Sequence, residues 1–222
     1  MSDDGGPRDA EMAVFPLGAV LLPGQFLPLQ VFENRYKVML FDLRHDDPAE
    51  FVVVLIERGS EVGGGDTRTT CGCVAHVSEV RETHDGRAFV AAIGTRRVRI
   101  RDWLEEDPYP RAVVEPAHEG QWPTEPTARD AADALAAEVS RTARAVGGLA
   151  CRLGAPEWPT DLQLADDPVD RLWQLSLLTP LGTLDRQRLL GIDHPVQRWE
   201  ALQDMLTDQQ ALLQARVDWG NS

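Results

Sequence analysis

Between Val14 and Leu40 the chain reads VFPLGAVLLPGQFLPLQVFENRYKVML, and no other segment limits the possible folds as much. Proline presets φ and glycine accepts φ > 0, so Pro23-Gly24 suits the two central positions of a type II turn. Phe15, Leu17, Leu21, Leu22, Leu27, Leu29 and Val31 supply apolar surface on either side of that turn. From Glu33 onward the period changes. Tyr36, Met39, Leu40 and Leu43 recur at i, i+3, i+4 and i+7, which is one face of a helix. The segment therefore predicts strand, turn, strand and amphipathic helix in that order.

Turn signals and β-branched runs continue to about residue 117. FVVVLIE at 51–57 is a short continuous apolar run of the kind a buried strand gives. Glu61 to Thr70, with Gly63, Gly64 and Gly65, reads as a loop, and a long strand is expected from Cys71 to Glu82. His84-Asp85-Gly86-Arg87 predicts a hairpin turn, because Asp-Gly favours the type I′ geometry that matches strand twist. The return strand runs from Phe89 to Ile93, through Gly94, then from Arg97 to Asp102. There Val98 and Ile100 alternate with Arg97, Arg99 and Arg101, which predicts a half-buried strand with a basic outer row. Val113 and Val114 belong to a last strand, and EGQWPTEPT at 119–127 is a linker by composition.

From Ala128 the pattern is helical, with Leu135, Val139, Val146, Leu149 and Leu153 at helical spacings. Asp166-Asp167-Pro168 predicts a helix start. A short helix over 184–190 ends at Gly191, and a last helix runs from about His194 to Val217. The expected organisation is a disordered tail at 1–11, a β-rich unit at 12–118, the linker, a helical unit at 128–217 and a tail at 218–222.

Charge and residue usage exclude several function classes. The chain of 222 residues carries 22 basic against 36 acidic side chains, a net charge of −14. Binding to nucleic acid neutralises phosphates with Lys and Arg, so this balance opposes it, and it equally opposes docking on anionic membrane. The acidic N-terminal sequence is unlike a secretory signal, no apolar run is long enough for a membrane span, and three cysteines suggest no disulfide framework. The cytoplasm is the expected compartment. Lys37 is the single lysine in the chain. A P-loop needs its lysine after a glycine-rich loop, and Lys37 sits instead in the apolar helix, so nucleotide hydrolysis by that route is excluded. A Ser-Lys peptidase dyad has only the same residue to draw on.

The opening segment resembles the start of the Lon protease N-terminal substrate-binding domain. CGCVAHVSEV is similar to that family's strand with a Gly-x-x-Ala pattern, and DGRAFVAAIGTRRVRIRDW to its hairpin ending in a Gly-x-x-Arg-x-Arg-Ile strand. DPYPRAVVE resembles the exit strand of the family, and DRQRLLGIDHPVQRWEALQDML its C-terminal bundle. The resemblance covers nearly everything from Val14 to Gln214. It implies an α+β fold: a PUA-like, partly open β-barrel with one helix, followed by a helical bundle subdomain. It also implies a stand-alone bacterial member that lacks the ATPase and peptidase domains and recognises protein substrates.

Candidate sites follow from residue chemistry. Phe32, Glu33, Asn34, Arg35 and Tyr36 lie where a strand ends and a helix begins, and the family motif falls on them. They are either the rim of a peptide groove or, more simply, a helix cap with Tyr36 packed inward. Trp103, Trp122 and Trp158 stand near prolines or charges, where a large apolar ring is harder to bury, while Trp173 and Trp199 fall on apolar helical stripes. Trp103 and Trp122 join the five residues as the predicted peptide-binding set. Cys71-x-Cys73 with His76 and His84 invites a zinc reading, but the spacing departs from the usual zinc pattern and small buried cysteines explain it. Arg96, Arg97, Arg99 and Arg101 invite an anion site, but alternation explains three of them as a solvated strand face; Asp166, Asp167 and Asp170 invite paired carboxylates or a metal, but a helix start explains them. No catalytic residue, metal or cofactor is expected. The expected partners are unfolded or partly folded polypeptides, held in a groove on the barrel or between the two subdomains. The alternative is an adaptor docking on one folded partner, such as a protease or chaperone.

Overall fold

The computed structural model describes residues 9–58, 67–84, 86–159 and 163–220. The chain divides by its internal contacts into Met1–Ala117 and His118–Ser222. The first unit contains β1 (Ala10–Leu17), β2 (Phe26–Val31), α1 (Asn34–Leu43), β3 (Glu50–Arg58), β4 (Thr67–Glu82), β5 (Ala88–Trp103) and β6 (Arg111–Pro116).

Its six strands run in the order β2-β5-β4-β3-β1-β6, and β6 pairs again with β5. Five strands thus close a ring, and β2 stands outside it as an edge. The length of β5 makes this possible. Its first half carries β2, from Phe26↔Ile93 to Val31↔Ala88, and its second half carries β6, from Val98↔Pro116 to Trp103↔Ala112. The β1–β3 pair is parallel and register shifts interrupt three of the antiparallel ladders, so the ring is not a regular barrel. Val14, Val52, Val54, Val74, Val98, Ile100, Ala112 and Val114 form one buried core cluster. Phe15 and Phe51, one residue out of step with Val14 and Val52, lie on the opposite face. There Phe15 stacks on Tyr36 of α1 at 4.1 Å between ring centroids and meets Phe51 at 5.9 Å. Both faces of β3 are covered, which explains its continuous apolar run. The buried face of α1 is Tyr36, Met39, Leu40 and Leu43, as the helical spacing predicts.

Gly24 has φ +79° and the Gln25 amide donates to the Leu22 carbonyl at 3.1 Å, so Pro23-Gly24 makes the type II turn. This turn lies on β5. The Gly24 amide donates to the Gly94 carbonyl at 2.8 Å, and the Gly94 amide donates to the Gln25 carbonyl at 2.9 Å. A Cβ on Gly94 would fall 2.3 Å from the Leu22 carbonyl oxygen. Glycine in mid-strand is therefore a matter of space.

Three sequence expectations need correction in this unit. Thr67–Thr70, read as loop, begins β4 because Arg58 pairs with Thr67 and Ile56 with Arg68; Glu61–Asp66 lie outside the described residues. Ala10 and Glu11, assigned to a tail, pair with Val114 and Val113. Arg97, placed on an outer basic row, is 3% exposed. Cys73 pairs with Arg97 and Ala75 with Gly94, so β5 carries an extra residue there. Such a bulge shifts the alternation by one. Arg97 thereby falls on the covered face of Ala92 and Gly94, while Val98 and Ile100 face the core cluster; Arg99 is half-buried and Arg101 is exposed. At the hairpin, Gly86 has φ +76° and the Thr83 amide donates to the Arg87 carbonyl at 2.9 Å; Asp85 lies outside the described residues.

The second unit is helical: α2 (Pro126–Arg152), α3 (Pro168–Leu178), α4 (Thr183–Gly191) and α5 (Pro195–Gly220). The Glu125 carboxylate accepts from the Thr127 and Ala128 amides at 3.1 and 2.7 Å, with Pro126 next to it, so α2 begins inside the expected linker. Asp167 caps α3 in the same manner at 2.8 and 3.1 Å, ahead of Pro168. Along α2, Ala132, Ala136, Val139, Ala143 and Val146 are buried, a small-residue face that lets α5 approach closely. Trp199, Leu202, Leu206 and Leu213 of α5 are buried, and the helix continues past Val217 to Gly220. Arg198, wholly buried, donates to Glu119 at 2.8 Å and to the Ile192 carbonyl at 2.9 Å, with its guanidinium 4.9 Å above the Trp173 ring. Among the described residues no helix is long and apolar enough to cross a membrane.

Candidate functional site

β2 ends the strand order: it pairs with β5 on one side and with no other strand among the described residues on the other. Since the Gln25 carbonyl accepts from Gly94 of β5, the trans peptide unit turns the Phe26 amide the opposite way. Alternation then directs the main-chain groups of Leu27, Leu29 and Val31 to β5, and those of Phe26, Pro28 and Gln30 to the edge. Pro28 falls where no ladder donor is needed, the position an edge strand tolerates.

An apolar hollow flanks β2 on each face. One, of about 310 Å³, is lined by Phe26, Pro28, Leu29, Phe89, Val90 and Ala91, with Glu79 and Arg81 at its border. Phe26 and Phe89 are 59% and 49% exposed there, and the cross-strand partner of Phe26, Ile93, is 42% exposed. The other, of about 200 Å³, is lined by Phe15, Leu17, Leu29, Val31, Phe32 and Tyr36, with Gln30 and Glu33. Pro28 and Leu29 border both. Large aromatic side chains left this exposed beside one another mark contact surfaces.

Six of the seven predicted residues lie in this unit. Phe32 is 54% exposed at the rim of the smaller hollow. Glu33 occupies the N-cap position of α1, yet its side chain makes no cap bond and accepts from Arg35 Nε at 3.1 Å. Asn34 is exposed. Tyr36 is 3% exposed, and burial pushes its phenol up to about 12. Arg35 stands 4.6 Å from the Tyr36 ring centroid and donates to Glu106 at 2.7 Å. Glu106 also accepts from Arg68 at 3.2 Å, and Arg68 lies 5.1 Å from the Trp103 ring centroid. One carboxylate thus connects Trp103 to the start of α1. Trp122 belongs to the second unit, where it is half-buried, donates to Asp133 at 2.9 Å and meets Trp199 edge-on at 6.5 Å.

The remaining candidates have structural partners. Trp158 packs on α2 where a Cβ on Gly147 would be 2.2 Å from its ring. Arg96 makes a two-pronged pair with Glu50 at 2.8 and 2.7 Å, and Arg101 pairs with Asp9. Cys71 and Cys73 are buried, and burial pushes the Cys73 thiol up to about 12. Among the described residues no three His, Cys, Asp or Glu side chains are placed to hold a metal ion. Sequence reasoning missed Phe26, Pro28, Leu29 and Phe89. The usable signal was Pro28 itself, since proline inside an apolar run marks an edge strand. Arg68 and Glu106 carry no local signal, as their roles arise from contacts distant in sequence.

Comparison with known proteins is consistent across sequence and fold. The family model of the ATP-dependent protease La (LON) substrate-binding domain matches residues 11–208. Lon protease 2 of Herpetosiphon aurantiacus is 32% identical over 115 residues, which is 49% of this chain and 14% of that protein. The chain thus spans a small part of this curated relative's length. A Lon N-terminal domain protein from Xanthomonas campestris superposes with a TM-score of 0.60 at 25% identity, covering 87% of this chain and 96% of the other. The N-terminal domain of a Mycobacterium avium complex Lon protease does so with a TM-score of 0.63 at 17% identity, covering 90% and 99%.

Proposed function

The chain belongs to the Lon substrate-binding domain family, and from that premise we propose a non-catalytic module that binds unfolded or partly folded polypeptides along β2, in a cytoplasmic setting. The observation that carries this reading is an unpaired strand edge with an apolar hollow on each face. A polypeptide added to that edge would be extended, and its side chains would alternate between the two hollows. Phe32 and Trp103 would border the site, while Glu33, Arg35 and Tyr36 would hold its wall in place. Asn34 and Trp122 have no part in this geometry.

Burying one large apolar side chain gains about 1.5–3 kcal/mol, and ordering a disordered segment costs about 2–5 kcal/mol or more. Two or three anchors therefore give weak binding with little sequence selectivity, which suits recognition of exposed hydrophobic segments. Fluorescence anisotropy of a labelled, reduced and carboxymethylated protein tests it. Leu29→Asp and Phe89→Ser should each weaken binding about tenfold or more, the equivalent of one lost anchor. Leu184→Ser, at a position 79% exposed on α4, should leave binding unchanged. Absence of binding at high micromolar concentration, or indifference to the β2-face substitutions, would refute the reading.

The alternative is an adaptor docking on one folded partner, such as a protease or chaperone. The ordered Arg35–Glu106–Arg68 network beside Trp103 favours it, because pre-positioned Arg and Trp side chains make effective interface anchors. Recovery of one stoichiometric partner, with no binding of unfolded chain, would select it.

A further inference from the structure

A third hollow in the first unit has a different chemistry. It measures about 190 Å³ and shares no lining residue with the two beside β2. Leu40 of α1 and Val80 of β4 give it an apolar floor, and Lys37, Arg44 and Arg87 surround it, with Glu82 as the acidic residue among the described lining. Among the described lining residues three cations stand beside one carboxylate, in a chain with 22 basic and 36 acidic residues overall.

Arg44 and Glu82 form an ion pair whose side chains are 44% and 66% exposed. Such a pair contributes about 0–1 kcal/mol and rearranges readily when a better partner arrives. Lys37 is half-buried, and its side chain has no ion pair or hydrogen bond among the described residues. Its Nζ stands 3.9 Å from where a Cβ on Gly86 would be, above the hairpin between β4 and β5. A half-buried ammonium with no partner among the described residues can give a bound anion a charge-assisted hydrogen bond.

We infer that this hollow binds the C-terminal end of a polypeptide, its carboxylate held by Lys37 and Arg87 and its last, apolar side chain resting on Leu40 and Val80. The floor favours an anion attached to an apolar group over a bare oxyanion, and Glu82 disfavours a dianion such as phosphate. The inference rests on the reading that the chain takes polypeptides, and it adds recognition of the free chain end at a place separate from β2.

Two labelled peptides of one sequence ending in leucine, one with a free carboxylate and one amidated, test it by anisotropy. The amide should bind the wild-type chain about tenfold more weakly, the scale of one charge-assisted hydrogen bond. Lys37→Gln should abolish the difference, whereas Leu29→Asp should leave the ratio of the two affinities unchanged. The single lysine supplies an independent readout. Reductive ¹³C-methylation preserves charge and labels only Lys37 and the N-terminal amine, and the Lys37 resonance should shift with the acid peptide and not with the amide. Equal binding of acid and amide, or an unmoved Lys37 resonance, would overturn the inference while leaving binding of unfolded protein at β2 intact. A shift produced by inorganic phosphate but not by the acid peptide would overturn it as well. Failure of both peptides and of unfolded protein to bind would remove the parent reading and this inference together.

Discussion

Gly94→Ala is the most informative single substitution, because it tests how the Pro23-Gly24 turn delivers β2 to the edge of the sheet. The added Cβ would stand 2.3 Å from the Leu22 carbonyl oxygen, 3.1 Å from its carbon and 3.2 Å from Cys73 Sγ. The first two are backbone atoms and have no rotamer in which to retreat. Either the turn lifts or β5 moves away. Both responses stretch the Gly24-to-Gly94 and Gly94-to-Gln25 hydrogen bonds, now 2.8 and 2.9 Å. Overpacking costs about 1–3 kcal/mol and each lost bond about 0.5–1.5 kcal/mol. The stiffer unfolded chain returns up to about 1 kcal/mol. The net expectation is a loss of about 2–4 kcal/mol, a large share of the roughly 5–15 kcal/mol that holds an ordinary domain folded. Hydrogen exchange of first-unit amides, followed as a function of urea, measures it without interference from the helical unit. Gly148→Ala is the control. It sits exposed in α2 with nothing within 4 Å of a new Cβ, and it should stabilise the second unit by about 0.5–1 kcal/mol. A Gly94→Ala protein within about 0.5 kcal/mol of wild type would refute the argument that the turn presses on the strand.

Other outcomes follow from the buried and networked groups. Tyr36 and Tyr109 are the two tyrosines of the chain, and burial raises both phenols from 10.0 to about 12, with a 2.9 Å hydrogen bond to Asp42 assisting at Tyr109. The unfolded chain ionises first, so stability is complete below pH 10 and falls as pH rises from 10 towards 12. Phenolate absorbance of the folded protein should therefore lag that of the urea-unfolded chain throughout this window, and coincident titrations would contradict it. Among the thiols, Cys151 is half-buried while Cys71 and Cys73 are buried. A thiol reagent at neutral pH should modify Cys151 first and Cys73 only as the fold opens; rapid labelling of Cys73 in the folded protein would argue against its placement. Glu106→Gln removes the anion between Arg35 and Arg68, whose side chains are 16% and 10% exposed. A loss of about 1–2 kcal/mol is expected by thermal unfolding, recovered in part when Arg68→Gln is combined with it. Strict additivity of the two substitutions would show that no shared network exists.

Legibility in the sequence differed sharply between elements. The opening turn and α1 were readable because their determinants are local: a proline, a glycine and a stripe at helical spacing. The start of α3 was readable for the same reason, through Asp167 and Pro168. Arg97 was not, because an extra residue in β5 sets it on the covered face of Ala92 and Gly94 while Val98 and Ile100 still point to the core, and no composition signals where a bulge falls. Closure of the strands into a ring was legible only through the family resemblance, since it depends on the second half of β5 finding β6. At the candidate site the α1 residues were identified, but the face of β2 that gives them meaning was passed over despite Pro28. Glu106 bridges Arg35 and Arg68 across wide separations in sequence, and only the folded chain brings the three together.

Binding of polypeptide at the β2 edge is the central claim, and residue-resolved amide exchange of the protein with and without saturating unfolded chain tests it most directly. The amides of Phe26 and Gln30 face the unpaired edge, whereas those of Leu27 and Leu29 already face β5. The account predicts that Phe26 and Gln30 slow markedly on binding, while Leu27 and Leu29 change little. Saturable binding that leaves Phe26 and Gln30 exchanging at their free rates would contradict it.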